Sequence, residues 1–308
     1  MASFLPICLN PTLQKTIVLS RLVENEVNRS GEYYLDASGK GVNVARVLTH
    51  LGEGVVHLTH LGGRNVDLFL DLAASDEVPI RWVDSHSEIR FCYTLISDAA
   101  NTTTEIVEEA EPVSASAEEA LLDLYLELLP SVDVVTISGS KAPGYSAELF
   151  PTMVREAKAA GRFVILDYRG ADLRNSLIHR PDIIKPNLAE FAQTFLDDGK
   201  SVAEIGEQST DDALLDRVCG AMMELRSEFG CDVVLTRGAR DILYTTDTGI
   251  GRHAPRTVTP RNTIGSGDAF TAGLGSALLR GESLPAAVGE AAECAATNAT
   301  LLRPGVLR

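Results

Sequence analysis

A chain of 308 residues is long enough for one large α/β domain and a sizeable core that needs no disulfide staples. Its 27 Lys+Arg against 43 Asp+Glu leave a net charge of −16, which argues against a general nucleic-acid binder or an anionic-membrane binder. The 45% hydrophobic and 23% charged fractions are those of a soluble globular protein, and no apolar run approaches the roughly 18 residues of a membrane span.

The chain opens on an apolar stretch whose first lysine is Lys15, so a buried strand at Leu5–Leu9 is expected rather than a signal peptide. From about Thr16 to Asp36 the pattern reads as a pair of antiparallel strands. The turn Ser38-Gly39-Lys40-Gly41 then feeds a helix over Val42–Leu51, with Val44, Val47, Leu48 and Leu51 on one face and Gly52 as its stop. A strand at Val55–Leu61 follows, and a second antiparallel pair spans Glu88 to Glu109, turning at Asp98-Ala99-Ala100-Asn101. The acidic run Glu105–Glu119 reads as a solvated loop. Beyond it, strands are expected at Val132–Ser138, Phe163–Asp167, Asp182–Lys185 and Val233–Thr236. Helices are expected at Ala117–Leu129, Ala147–Ala160, Asp211–Phe229, Asp268–Leu279 and Leu284–Leu302.

Near-continuous apolar strands alternating with amphipathic helices predict an α/β fold: a three-layer, doubly wound, Rossmann-like sheet, mostly parallel, with helices on both faces. The two β pairs break that rhythm. They predict a small antiparallel lid formed by segments 12–37 and 88–111, inserted in a single domain spanning 1–308. One apolar face of such a lid is left open in a monomer, so a homodimer pairing two lids is expected. Cys8, Cys92, Cys219, Cys231 and Cys294 are odd in number, widely spaced and free of Cys-x-x-Cys pairs. They read as reduced core thiols and point to the cytoplasm.

The sharpest motif is Asn262-Thr263-Ile264-Gly265-Ser266-Gly267-Asp268-Ala269-Phe270-Thr271-Ala272-Gly273, a glycine-rich turn running into a helix. Converging backbone N–H groups and the helix N-terminus make an anion hole there, suited to a transferring phosphoryl group. Asp268, in the first turn, is placed to accept a proton from an attacking hydroxyl. The plainer alternative is that Ser266 or Asp268 only caps the helix. The second turn, Gly39-Lys40-Gly41-Val42-Asn43, is not a Walker A loop, because Gly41 follows Lys40 where Ser or Thr is required. Nor is it a dinucleotide fingerprint, because Val44 stands at the third glycine. Lys40 and Asn43 could hold a small polar ligand, or the segment is a plain strand-to-helix turn. In Lys185-Pro186-Asn187-Leu188-Ala189-Glu190, Asn187 and Glu190 make a capping box and could also organise a hydrated Mg²⁺ beside nucleotide phosphates.

Taken with Asn10-Pro11, Ala45-Arg46, Ser138-Gly139-Ser140 and Pro143-Gly144, these motifs resemble, in order and spacing from about residue 8 to 300, the ribokinase-like (PfkB-type) carbohydrate kinases. The chain is most similar to the branch of 1-phosphofructokinase, tagatose-6-phosphate kinase and the minor 6-phosphofructokinase. The resemblance implies ATP-dependent transfer onto a sugar hydroxyl, with Asp268 as base and Gly265, Ser266 and Gly267 as anion hole. It assigns Lys185, Asn187, Thr236, Gly238 and Asn298 to ATP, and Asn187 and Glu190 to Mg²⁺ through water. It places Gly39, Lys40, Asn43 and Ser140 on the acceptor. Arg29 and Arg90, on the lid, match positions that hold a phosphate already on the sugar, such as fructose 1-phosphate, fructose 6-phosphate or tagatose 6-phosphate.

Four positions depart from the family pattern. Gln14 stands where the family's carboxylate grips sugar hydroxyls, Ser38 replaces a glycine, Tyr168-Arg169-Gly170 replaces a small Ser-Gly segment, and Asp241 replaces a loop glycine. Gln14 leaves the acceptor open, so a kinase of an unphosphorylated sugar or a nucleoside is the first alternative. A non-catalytic sugar-phosphate sensor is the second, opposed by the intact Gly265–Asp268 segment.

Overall fold

A computed structural model describes residues 4–196, 206 and 208–308. Its larger sheet has nine strands in the order β13-β12-β11-β10-β9-β8-β1-β4-β5. These are β1 Phe4–Cys8, β4 His57–Leu61, β5 Ile80–Asp84, β8 Val134–Ser138, β9 Phe163–Asp167, β10 Ile183–Ile184, β11 Asp232–Arg237, β12 Arg240–Thr246 and β13 Gly249–His253. All neighbours from β5 across to β11 pair in parallel, and β12 and β13 add an antiparallel hairpin at one edge.

The side-chain period of two explains the layers. Leu5, Ile7, Val135, Ile137, Val164, Leu166, Val233 and Leu235 point into one core, under helices Ala115–Leu128, Leu149–Ala159, Leu188–Phe195 and Asp212–Phe229. The residues between them, Phe4, Val134, Ile165 and Val234, point into the opposite core under helices Lys40–His50, Ser266–Leu279 and Leu284–Ala299. Strands buried on both faces have no polar alternation, which is why they read as apolar runs.

The second sheet has four strands in the order β3-β2-β6-β7: β2 Thr12–Leu19, β3 Glu32–Ser38, β6 Arg90–Ser97 and β7 Thr102–Val107. Within each hairpin the pairing is antiparallel, as the alternation predicts. The two hairpins meet through a parallel β2–β6 ladder, Thr12 opposite Arg90 through Leu19 opposite Ser97. No local pattern specifies that junction. The larger differences from the sequence reading are additions, namely β5, the β12–β13 hairpin and the helices Val66–Ser75 and Ala171–Ser176, whereas the helix Leu188–Phe195 opens at Asn187 as its capping box predicts. The last helix also stops at Ala299, where the backbone turns into bends, rather than continuing to Leu302.

From β1 the chain passes to β4 and β5 on one side and to β8, β9, β10 and β11 on the other. The order reverses between β1 and β8, and in open α/β sheets ligands bind in the crevice outside the carboxyl ends of strands at such a point.

Candidate active site

Residues from five carboxyl ends and three helix N-termini meet in that crevice. Asp167 closes β9, Lys185 follows β10, Thr236 lies at the end of β11, Asn10 follows β1 and Ser140 follows β8. Asp167 is the electrostatic centre. Its Oδ2 is 3.2 Å from Lys185 Nζ and accepts from Thr271 Oγ1 at 3.2 Å, while Oδ1 lies 3.7 Å from Lys40 Nζ. Burial alone would push this carboxyl up, but Lys185 and Lys40 hold it below the ordinary aspartate value. Lys40 also faces Glu190 Oε1 at 3.5 Å, and Asp167 above all keeps its ammonium charged. The Lys40 side chain remains 41% open to the crevice, so its ion pairs are partly screened, in contrast to Lys185 at 3%.

Asp268 sits in the first turn of the Ser266–Leu279 helix and is 5% exposed. Its Oδ2 accepts from Asn43 Nδ2 at 2.8 Å. Desolvation pushes its pKa up to about 6, against the opposing pull of Lys40, the Asn43 bond and Lys185. Ionised at neutral pH, yet more basic than a solvated aspartate, it has the properties of a proton acceptor.

No side chain caps that helix. Ser266 Oγ turns instead to Asn298 Oδ1 at 3.3 Å, and Gly267 is exposed. The capping alternative for Ser266 and Asp268 is therefore not realised, and the Gly267 and Asp268 N–H groups stay available to an anion, while the Ser266 N–H donates to the Thr263 carbonyl at 3.2 Å. Gly265 has φ +83°, and a Cβ there would lie 2.5 Å from the backbone nitrogen of Gly305. A Cβ on Gly267 would point toward Lys185 Nζ, 3.7 Å away, so hole and ammonium address the same space. The second helix N-terminus, Gly39-Lys40-Gly41, is likewise uncapped. It packs so closely on β1 that a Cβ on Gly41 would meet the Ile7 carbonyl oxygen at 2.4 Å.

The third helix N-terminus behaves differently. Asn187 Oδ1 accepts from the Glu190 N–H at 2.8 Å and Glu190 Oε2 accepts from the Asn187 N–H at 3.0 Å, a complete capping box. The Thr236 N–H reaches the Pro186 carbonyl at 3.2 Å, joining β11 to the same turn. Asn10 Nδ2 donates to Ser140 Oγ at 3.2 Å, while Asn10 Oδ1, Ser138 Oγ and Asp167 Oδ1 are buried without hydrogen-bond partners. On the lid, Gln14 Nε2 donates to Thr94 Oγ1 at 2.7 Å, and Arg90 Nη1 donates to the Glu108 carbonyl at 2.9 Å while its buried Nε has no partner.

Two predicted residues stand elsewhere. Asn298 is fully buried, and both ends of its amide are engaged, by Ser266 and by the Val306 carbonyl at 3.1 Å. Asn298 thus ties the Ser266 turn to the last segment of the chain. Arg29 is exposed in the loop between β2 and β3 and makes no hydrogen bond to the crevice residues. Gly238, also exposed, lies past the end of β11 with φ +57°. The sequence reading missed Asp167 as a site residue, although a carboxylate ending an apolar strand is a usable signal. It also missed Ser38, Arg46 and Thr271, whose parts depend on contacts between distant segments.

The sequence profile of the pfkB family of carbohydrate kinases matches residues 10–304. Among solved structures, a possible 1-phosphofructokinase from Thermotoga maritima superposes with a TM-score of 0.85 at 21% identity, covering 98% of this chain and 93% of that one. Phosphofructokinase-2 from Escherichia coli in complex with substrates and products gives 0.83 at 20% identity, covering 97% and 94%. A putative phosphofructokinase from Staphylococcus aureus gives 0.74 at 20%, covering 97% and 92%.

Proposed function

Because the chain belongs to the pfkB family of carbohydrate kinases, we propose that it transfers the γ-phosphoryl group of ATP to a hydroxyl of a phosphorylated hexose, with Asp268 as general base. The observation that carries this reading is the buried Asp268 carboxylate on an uncapped helix N-terminus, at the sheet's switch point and beside two lysines. Asp268 removes the proton from the acceptor hydroxyl as the hydroxyl oxygen attacks. The N–H groups of Gly265 and Gly267 take up charge on the transferring group, with Lys185 beside them and the Ser266 N–H joining them on giving up its bond to the Thr263 carbonyl, and Lys40 neutralises the phosphate on the acceptor side. Little covalent chemistry is required, so positioning and electrostatics supply most of the acceleration.

The nucleotide fits these residues, since exposed Gly267 and the Lys185 ammonium offer donors where a Cβ is missing. For Mg²⁺, Asn187 Oδ1 is already committed to the capping box, and among the described residues no three His, Cys, Asp or Glu side chains form a metal cage. A hydrated cation carried on the phosphates suits this donor set, with Asn187 and Glu190 meeting its waters. When bound, it would neutralise phosphate charge. Gly39, Asn43, Ser140 and Gln14 would line the acceptor, Arg90 would hold its phosphate, and Thr236 and Gly238 would border the nucleotide. The free thiols of all five cysteines agree with a reducing cytoplasm.

An ADP-release assay across fructose 1-phosphate, fructose 6-phosphate, tagatose 6-phosphate, ribose and adenosine tests the reading. Asp268→Asn is expected to lower kcat by about 10³-fold with nucleotide binding retained. Activity within tenfold of wild type would remove Asp268 from the role of base. Arg90→Ala is expected to raise KM for phosphorylated acceptors alone, and an equal rise for ribose or adenosine would instead favour an unphosphorylated acceptor.

A further inference from the structure

Beside the proposed base lies a fully buried guanidinium that no step above uses. Arg46 is 0% exposed. Its Nε donates to Asp76 Oδ2 at 2.7 Å, its Nη1 to Asn43 Oδ1 at 3.1 Å and to the Pro304 carbonyl at 3.0 Å, and its Nη2 to the Ala37 carbonyl. Ser38 Oγ places a second donor on the same Asn43 oxygen at 3.1 Å.

A guanidinium carries donors only, so the face of the Asn43 amide turned toward it has to be the oxygen. Nδ2 is then left on the other side, where it meets Asp268 Oδ2 at 2.8 Å. A flipped amide would set N–H against N–H at Arg46 and oxygen against carboxylate at Asp268, in a buried setting where such contacts cost most. Arg46 is itself fixed, because Asp76 also binds Arg303 Nη2 at 2.9 Å and Arg303 Nε reaches Asp36 Oδ1 at 2.7 Å. Gly305 closes over Asn43 so tightly that a Cβ would lie 2.6 Å from the Asn43 Cβ. Among the described residues no hydrogen bond is made to the other Asp268 oxygen, Oδ1.

We propose that Arg46 is a positioning residue for phosphoryl transfer: it fixes the orientation of the Asn43 amide, which occupies one Asp268 oxygen and leaves the other for the acceptor hydroxyl. The inference rests on the reading of Asp268 as base. It places a requirement for the reaction on a side chain that touches neither substrate.

A double-mutant cycle tests it. Arg46→Lys keeps a positive charge beside Asp76 but loses the forked donors, and is expected to lower kcat about 30-fold with both KM values within threefold. In an Asn43→Ala background, slow but measurable, the same change should alter kcat less than twofold, because the amide to be oriented is gone. A folded Arg46→Lys enzyme with wild-type kcat, or an equal 30-fold loss in both backgrounds, overturns the proposal. Should Arg46→Lys not fold, Ser38→Ala carries the cycle without touching a charge: a loss of about threefold that disappears with Asn43→Ala supports the proposal, and one that persists or never occurs overturns it. Asp268→Asn is assayed alongside. An active Asp268→Asn enzyme takes down the base reading, whereas an inactive one with an additive cycle takes down only the role of Arg46.

Discussion

At the scale of single residues, Asp268 ties activity to pH and to stability in opposite senses. Its carboxyl titrates near 6 in the folded protein because of burial, against about 3.8 when solvated. Turnover should fall about tenfold per pH unit below 6 as the base is protonated, and an acid limb centred near 4 in kcat would contradict the assignment. Between those two values the native state holds the proton more tightly than the unfolded chain. Its stabilising contribution is therefore full below about pH 4 and is lost as pH rises through 6, a cost at neutrality on the order of 3 kcal/mol. Asp268→Asn removes most of that cost while keeping an acceptor for Asn43, so the inactive variant should melt about 2–6 °C higher than wild type. A lower melting temperature would mean that Coulombic attraction to Lys40 outweighs desolvation. Gly265→Ala goes the other way. A φ of +83° and a backbone nitrogen 2.5 Å from the new Cβ predict a loss of several °C together with a damaged anion hole, read by melting and by kcat.

Among the elements, the lid depends on the parallel β2–β6 ladder, and Gln14 and Thr94 add a side-chain bond across it at 2.7 Å. Thr94 is completely buried, so Thr94→Val leaves the Gln14 amide unpaired at about 1–3 kcal/mol, a drop of roughly 2–8 °C. An unchanged melting curve would show that solvent or another donor rescues Gln14. This junction also marks where sequence reasoning stops. Each hairpin is local, with alternation and turn residues to announce it, but the β2–β6 contact joins residues about 78 apart and leaves no periodic trace. The central strands were legible because burial on both faces makes them apolar throughout, and β5 was not, because Arg81, Trp82 and Asp84 stay exposed at the sheet edge. In the crevice, glycine turns and capping residues are written consecutively and so could be read. Asp167, Arg46 and Thr271 acquire their parts only through contacts with segments 100 or more residues distant or through a buried polar network.

For the molecule as a whole, a net charge of −16 contrasts with the chemistry proposed for one crevice. Lys40 and Lys185 there oppose Asp167, Glu190 and Asp268, so side-chain charge alone does not make the core of the site positive. On the proposed reading, uncapped helix N-termini, Arg90 and a divalent cation would be needed to admit two phosphorylated substrates, and chelation by EDTA should abolish turnover while leaving the melting curve nearly unchanged. Turnover that survives chelation would mean the protein's own groups suffice. The lid adds a second property of the whole. Tyr33 and Ile106 lie on one face of it and are 62% and 52% exposed, Ile106 in register with Tyr93 and Lys15, and Tyr33 two residues along, opposite Ile17. We expect that face to join two copies: light scattering at micromolar concentration should give a dimer that Ile106→Asp dissociates, and a wild-type monomer would rule out the pairing.

The segment 303–306 gives the site a history as well as a shape. Gly305 closes on Gly265, the Pro304 carbonyl binds Arg46, and the Val306 carbonyl binds Asn298, while Asn10 contributes from the other end of the fold. During synthesis, the surroundings of hole and base therefore cannot be completed until residue 306 has cleared the ribosome. On the proposed reading, phosphoryl transfer would wait for the folding of this segment onto Gly265 and Arg46.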